Sequence, residues 1–460
     1  MGEGKGLSFW SVFAIGVGGM VGGGIFAVLG LAVQLARGGT PVAFAIAGAV
    51  ALITSYSYAK LSTKYQSQGG TVEYLVRGLG GGMLSGGLNI LLWLSYIVML
   101  SLYSYAFGSY AASFLPPASR VLWKHVFITA IVIALTLLNL RSVSAVGRVE
   151  EGVVGLKLAI LLLFVGVGSF FINKAWLAPS NWSPAAGLIT GGMIIFLAYE
   201  GFELIANTAK DVRNPSKLLP KALYASVAFV IALYVAVALV TVGNLPYDKI
   251  VGARDYALAA AARPALGEAG FALIALAALL STTSAINATL YGTARVSYII
   301  AKYGELPRTL ERKVWSKPLE GLIITSAATL LIANLLNLSS ISMMGSAGFL
   351  IIFAAVNAVG AKLRRETGAS AALSIAGAVA CAAALAALIA RVVSWEPSQL
   401  AVLAALIGIS FAAEALYRGV TGRRIKHPDE YVHETIEEVH EEFVRALRRL
   451  RRGGSREENR

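Results

Sequence analysis

Apolar residues run along this chain in long unbroken blocks, not in the alternation of half-buried strands or the narrow stripes of surface helices. A window of about 20 residues, the length a helix needs to cross hydrocarbon, divides the 460 residues into about twelve such blocks. They fall near 9–36, 41–63, 83–114, 121–139, 153–172, 187–209, 220–243, 268–301, 319–337, 341–361, 370–392 and 399–417. The pattern predicts an all-α membrane protein of about twelve transmembrane helices. The first block lacks the short apolar core and small-residue cleavage site of a secretory signal, so it is expected to stay as a working span. Beyond Arg418 the apolar run ends, and Ile436, Val439, Phe443, Leu447 and Leu450 recur at spacings of three and four, with acids early and arginines late. That is an amphipathic helix oriented with its macrodipole. It can be solvated, or it can dock through Arg445–Arg452 on anionic lipid or a neighbouring subunit; both readings stay open.

Two blocks are not plainly apolar. The first contains "GVGGMVGGGIF", six glycines between Gly16 and Phe26, and the sixth contains "FLAYEGFELIANTAKDV", which puts Glu200, Gly201 and Glu203 inside a span. Gly18 and Gly22 have the spacing of close helix packing. Three consecutive glycines, Gly22, Gly23 and Gly24, face in all directions and chiefly loosen the backbone, so unwinding is expected. The interruptions lie five spans apart, and an odd offset starts the second copy from the opposite side of the membrane. This predicts an inverted repeat of five plus five helices, 1–175 and 176–365, followed by two extra helices over 366–418 and the cytoplasmic tail 419–460. At about 1.5 Å per residue, Val21–Gly24 and Tyr199–Glu200 reach similar depth near the midplane. A half-helix restarting at Gly24 offers unpaired N–H groups and a positive dipole end, a place for a carboxylate. The outer half of the sixth span, ending near Ala198, offers carbonyls that accept an ammonium. Together they describe an α-amino acid.

Composition changes the picture in one respect. The chain is 57% hydrophobic, 14% charged and has a mean hydropathy of +0.70, yet carries a net charge of +14. The basic residues sit in alternate loops: Lys60, Lys64 and Arg77; Arg141 and Arg148; Lys210, Arg213, Lys217 and Lys221; Lys302, Arg308, Arg312, Lys313 and Lys317; Lys362, Arg364 and Arg365. That distribution orients a membrane protein with both termini in the cytoplasm; it does not indicate a nucleic-acid partner. One cysteine, Cys381, and four histidines outside the span interiors argue against disulfides, metal clusters and bound haem. No cofactor or metal is expected. A channel would need a polar ring, and a membrane enzyme would need an intramembrane catalytic constellation; neither pattern is present.

"GVGGMVGGGIFAVLG" resembles the first-helix signature of the amino acid–polyamine–organocation transporters. "FLAYEGFELIANTAKDVRNPSKLLPKAL" resembles their sixth helix and following loop, and "STTSAINATLYGTARVSYIIAKYGELP" is similar to their eighth helix. The resemblance covers roughly spans one to ten. It implies a LeuT-like fold in which spans 1, 2, 6 and 7 move against a scaffold of 3, 4, 8 and 9 around one central amino-acid site. Carried over by motif position, the amides of Gly23 and Gly24, loosened with Gly22, hold the substrate carboxylate. The carbonyls of Met20, Tyr199 and Glu200, beside Gly201, take the amine. Asn287 faces the substrate side chain, and Phe196 or Phe202 closes over it, unless those rings are packing.

Lys157 lies several residues into the fifth span, where a lysine costs at least about 2.5–3.5 kcal/mol to insert. Low-dielectric surroundings penalise its ammonium while nearby carbonyls stabilise it, so a proton can come and go. In some members of the family a lysine here looks like a stand-in for a sodium ion, bridging first-helix carbonyls and eighth-helix hydroxyls; these would be Ser284 with Ser281 or Thr283. The alternative is a lysine that snorkels to the headgroups. Glu203 matches a position where the family often carries an acid, a gate or proton partner. Glu200 adds negative potential, which favours a cationic substrate unless the carboxyl is protonated or water-solvated. The expected function is proton-coupled amino-acid uptake across the cytoplasmic membrane, with an amino acid or polyamine exchanger and an amino-acid-sensing transceptor as alternatives.

Overall fold

The computed structural model describes residues 6–67, 69–141, 146–302, 304, 319–395 and 397–422. The amphipathic tail helix, including Ile436 to Leu450, and the basic loop after Lys302 lie outside the described residues. Helices α1 (Phe9–Met20) and α2 (Gly24–Ala36) form the first span, α3 (Thr40–Lys64) the second, and α4 (Thr71–Leu79) is a short connecting helix. Spans three to five are α5 (Met83–Ala112), α6 (Arg120–Arg141) and α7 (Val146–Gly168). The sixth begins as α8 (Ala185–Ile194) and continues as 3₁₀ turns over Phe196–Tyr199 and Phe202–Asp211. The seventh is α9 (Pro215–Asn244), followed by the short α10 (Tyr247–Gly252) and by α11 (Ala257–Lys302), which breaks at Gly267 (φ 64°) before running on as the eighth. Last come α12 (Leu319–Leu335), α13 (Leu338–Lys362), the single turn α14 (Arg364–Thr367), α15 (Ala371–Trp395) and α16 (Ser398–Thr421).

Nine helices among the described residues are long and apolar enough to cross a membrane, and two bent pairs raise the number to eleven. The segment predicted as the ninth span is the exception. Its described part is α12, 17 residues that begin at the first described residue after 318. The architecture is therefore an all-α, multi-span membrane protein. Its buried face is continuous: α5 is buried over most of its length, whereas α6, α7, α15 and α16 expose leucine, isoleucine and valine as lipid-facing helices do.

Both expected interruptions are present. The first span bends by 47° between Met20 and Gly24, and the sixth by 50° after Ile194. The sixth departs from expectation in position and in kind. Its α-helix ends at Ile194, not near Ala198, because the Ser342 and Ser346 hydroxyls of α13 donate to the Ile194 carbonyl at 2.6 and 3.1 Å. The backbone then turns through extended Glu200 and left-handed Gly201 (φ 112°) and proceeds as 3₁₀ instead of α.

The inner halves of the two broken spans are joined at both ends. Near the N-terminus Leu7 and Val212 form a backbone bridge, with Leu7 N–H donating to Asp211 O at 2.7 Å and Arg213 N–H to Leu7 O at 3.2 Å. At the break, Gly19 and Gly201 touch backbone to backbone: a Cβ on Gly201 would lie 2.6 Å from the Gly19 carbonyl carbon. Gly201→Ala thus meets both a disfavoured φ and a clash, and is expected to cost more than about 3 kcal/mol. Gly267→Ala, at positive φ but in open space, should cost about 1 kcal/mol. Thermal unfolding of the two variants in the same detergent checks the ranking.

Candidate functional site at the two helix breaks

At Val21–Gly23 the first span is unwound: Val21 N–H closes the last turn of α1 on Val17 O, and α2 restarts at Gly24. The first amides of α2 have no intrahelical acceptor and carry the positive end of its dipole. Side chains from three other spans hold the carbonyls that the break releases. Ser281 of the eighth span donates to Gly22 O at 2.8 Å and lies 3.2 Å from Val21 O. The Lys157 ammonium of the fifth span donates to Gly18 O at 3.2 Å. The Tyr234 hydroxyl of the seventh span reaches Met20 O at 2.7 Å and Ala198 O at 3.2 Å, one group bonded to both breaks.

The sixth-span break is fixed by its own acid. Glu203 accepts the Gly201 N–H on Oε2 at 2.8 Å and the Tyr96 hydroxyl of the third span on Oε1 at 3.1 Å. It is 1% exposed. An acceptor with two such donors pins the left-handed turn against α5.

A cavity of about 370 Å³ starts at the breaks, where Gly18, Gly19, Glu200, Tyr96, Tyr103 and Ser284 line it. It runs to Leu7, Ser11, Asn207 and Val296 at the end of the bundle that holds the N-terminus. Phe196, Tyr199 and Phe202, beside the break in the sixth span, are fully buried. Glu200 is the charged side chain among the lining residues, and no ion pair joins it to a cation among the described residues.

The structure brings together Met20, Gly22, Gly23, Gly24, Tyr199, Glu200, Gly201, Glu203, Ser281 and Lys157 at the junction, but not all of them on the cavity wall. Tyr103 lines the cavity, and its ring rests on Gly22 and Gly23, where a Cβ on Gly23 would come within 2.5 Å of it. Gly24 packs on Ala198, 3.0 Å from a Cβ to the Ala198 Cα. The glycine run therefore serves both of its possible purposes: the backbone is unwound, and its bare faces admit a tyrosine and a neighbouring backbone.

Several residues stand elsewhere than expected. Asn287, expected to face a substrate, accepts a 2.7 Å hydrogen bond from Asn139 of the fourth span. Thr283, a candidate bridging hydroxyl, bonds its own helix at Leu279 O. Phe202 packs on Tyr58 and Phe353, and Phe196 on Phe353, as core aromatics. Lys157 does not snorkel: it is 2% exposed and points into the protein. Met20 O, expected to be open to an amine, already accepts Tyr234. The tyrosines of the junction, Tyr96, Tyr103 and Tyr234, were not among the expected site residues. Tyr96 and Tyr103, seven residues apart on one face of α5, were the available signal.

A sequence profile of the amino acid permease family matches residues 7–412. An uncharacterized protein of Methanocaldococcus jannaschii is 40% identical over 354 residues, 76% of this chain and 80% of its own length. The inner membrane transport protein YbaT of Escherichia coli is 36% identical over 376 residues, 81% of this chain and 87% of its own. The methylthioribose transporter of Bacillus subtilis is 27% identical over 384 residues, 78% and 81% of the two lengths.

Tyr234→Phe keeps the ring packed between Phe44 and Tyr199 while stripping the donor from two buried carbonyls. The expected loss is about 1–3 kcal/mol, measured as a lower unfolding midpoint. Tyr247→Phe, which loses a single exposed bond to Gln34 O, is expected to change little.

Proposed function

The chain belongs to the amino acid permease family, and from that premise we propose that it is a secondary active transporter carrying amino acids across the cytoplasmic membrane by alternating access, driven by a proton. It is a membrane transporter and not an enzyme. The observation that supports the finer reading is the meeting of two broken spans at the head of a cavity that runs to one end of the molecule. Main-chain dipoles there can bind a zwitterion without a fixed countercharge. The substrate carboxylate docks at the amides of Gly22, Gly23 and Gly24 once the Tyr103 ring swings off them. The ammonium lies between the Glu200 carboxyl and the carbonyl edge around Tyr199. The basic loops favour an N-terminal end in the cytoplasm, and in that orientation the cavity is an inward-facing vestibule.

Lys157 is the proposed coupling group. Its ammonium, bonded to Gly18 O, ties the fifth span to the first, while Ser281 ties the eighth to the same break. Loss of the proton toward the cytoplasm removes the first tie and lets the inner half of the first span move. Ser284, on the cavity wall, would hydrate the ammonium during the exchange, and Glu203 keeps the facing break in place. No metal or organic cofactor is required in this scheme.

The test is uptake of an amino-acid panel into proteoliposomes with and without an imposed pH gradient, for the wild-type protein and for Lys157→Ala. Wild-type accumulation is expected to rise severalfold with an inwardly directed proton gradient. Lys157→Ala is expected to lose that rise while still equilibrating substrate. A variant that keeps its pH response overturns the coupling role. Flux that requires an amino acid inside the vesicle would make the protein an exchanger. Competition by neutral as well as basic amino acids would show that Glu200 does not impose a cationic substrate.

A further inference from the structure

A second cavity, of about 290 Å³, lies at the end of the bundle opposite the N-terminus and shares no lining residue with the central one. Its floor is apolar: Val33, Val242 and Ile250 belong to a small buried cluster separate from the main core. Trp176 and Tyr247 form its sides, and Arg37 stands at its rim.

Arg37 is unusual in two independent ways. Its backbone has φ 51° and ψ −130°, and it is the one non-glycine among the described residues with a positive φ; the other seven are glycines. Gly39 N–H closes a turn on Ala36 O at 3.0 Å, Gly38 N–H bonds Asn181 O at 3.1 Å, and Thr40 Oγ1 bonds Arg37 O at 2.6 Å, so the surrounding loop holds this conformation. A residue with a side chain at such a point holds a strained backbone conformation. Glycine, which occupies the next two positions, would not. The second feature is the guanidinium itself. Its neighbour is the Tyr247 ring, 5.3 Å from the centroid, and it takes part in no ion pair or hydrogen bond among the described residues. A strained backbone thus holds an arginine over an apolar, aromatic-walled pocket with its five donors unspent.

We propose that this pocket binds an anion carried on an apolar body, with Arg37 gripping the charged oxygens and Trp176, Tyr247 and the valine floor covering the remainder. Arginine suits this task because its planar fork matches carboxylate or phosphate oxygens while its flat face stays on an aromatic ring. The carboxyl of Asp248, next to Tyr247 at the start of α10, is not among the lining residues and leaves the rim cationic. The anion has two possible sources, a free amphiphilic carboxylate or the headgroup of an anionic lipid. The inference does not depend on the transport reading, since the central cavity lies elsewhere.

The test uses the full-length protein and Arg37→Gly, which removes the donor and relieves the backbone together. Arg37→Gly is expected to unfold no earlier than the wild-type protein, so lost binding cannot be ascribed to misfolding. In neutral detergent, phenylacetate is expected to raise the unfolding midpoint of the wild-type protein, and at least fivefold higher concentrations are needed for Arg37→Gly. Phenylacetamide, the uncharged isostere, should have no such effect. In a second arm, nanodiscs of phosphatidylglycerol are compared with phosphatidylcholine. Arg37-dependent stabilisation by phenylacetate identifies a free anion, and Arg37-dependent stabilisation confined to phosphatidylglycerol identifies a lipid headgroup; either supports the site. Equal responses of the two proteins to both probes, or a phenylacetate stabilisation that phenylacetamide matches, overturn it.

Discussion

Everything around the central cavity depends on one contact, the backbone-to-backbone junction of two interrupted helices. Gly19 meets Gly201, Gly24 meets Ala198, and a single hydroxyl, that of Tyr234, bonds a carbonyl on each side. Breaking a helix inside a membrane strands N–H and C=O groups that lipid cannot satisfy, each worth several kcal/mol if left unpaired. The sequence meets that cost with side chains drawn from many spans. Ser281, Lys157 and Tyr234 serve the first break, while Ser342, Ser346 and Glu203 serve the second. No single helix could keep either break open alone, so the unwound conformation is a property of the assembled bundle.

The coarse plan was legible because hydropathy and helix length are local quantities. The spans sit within a few residues of the expected blocks, and the two breaks fall in the segments where glycines and acids interrupt the apolar run. What escaped was set by partners distant in sequence. The sixth span stops being α-helical at Ile194 because two serines of α13, 148 and 152 residues later, reach its carbonyl. Asn287 looks like a ligand-facing amide until Asn139, 148 residues earlier, is seen against it. Tyr103 and Tyr234 were ambiguous for another reason: in a hydrophobic span a tyrosine defaults to packing, and only its hydroxyl partner or the cavity beside it distinguishes the two roles.

The charged groups inside the bundle illustrate how burial and pairing divide labour. Glu203 has two donors and is not itself among the residues lining the cavity, so it acts as a clamp. Glu200, three residues earlier and one turn of chain away, faces the cavity with no ion pair to a cation among the described residues. Lys157 is buried, and its ammonium donates to the Gly18 carbonyl beside the first break.

The 3₁₀ segment Phe202–Asp211 is longer than such helices usually run. Ten residues at about 2.0 Å each span about 20 Å, whereas the same ten wound as α-helix would span about 15 Å. Because Gly201 anchors one end and the Leu7–Val212 bridge the other, the difference behaves like slack in a tether fixed at both posts. Any rewinding of these turns must drag the foot of the first span toward the centre of the bundle by about 5 Å, one helical pitch.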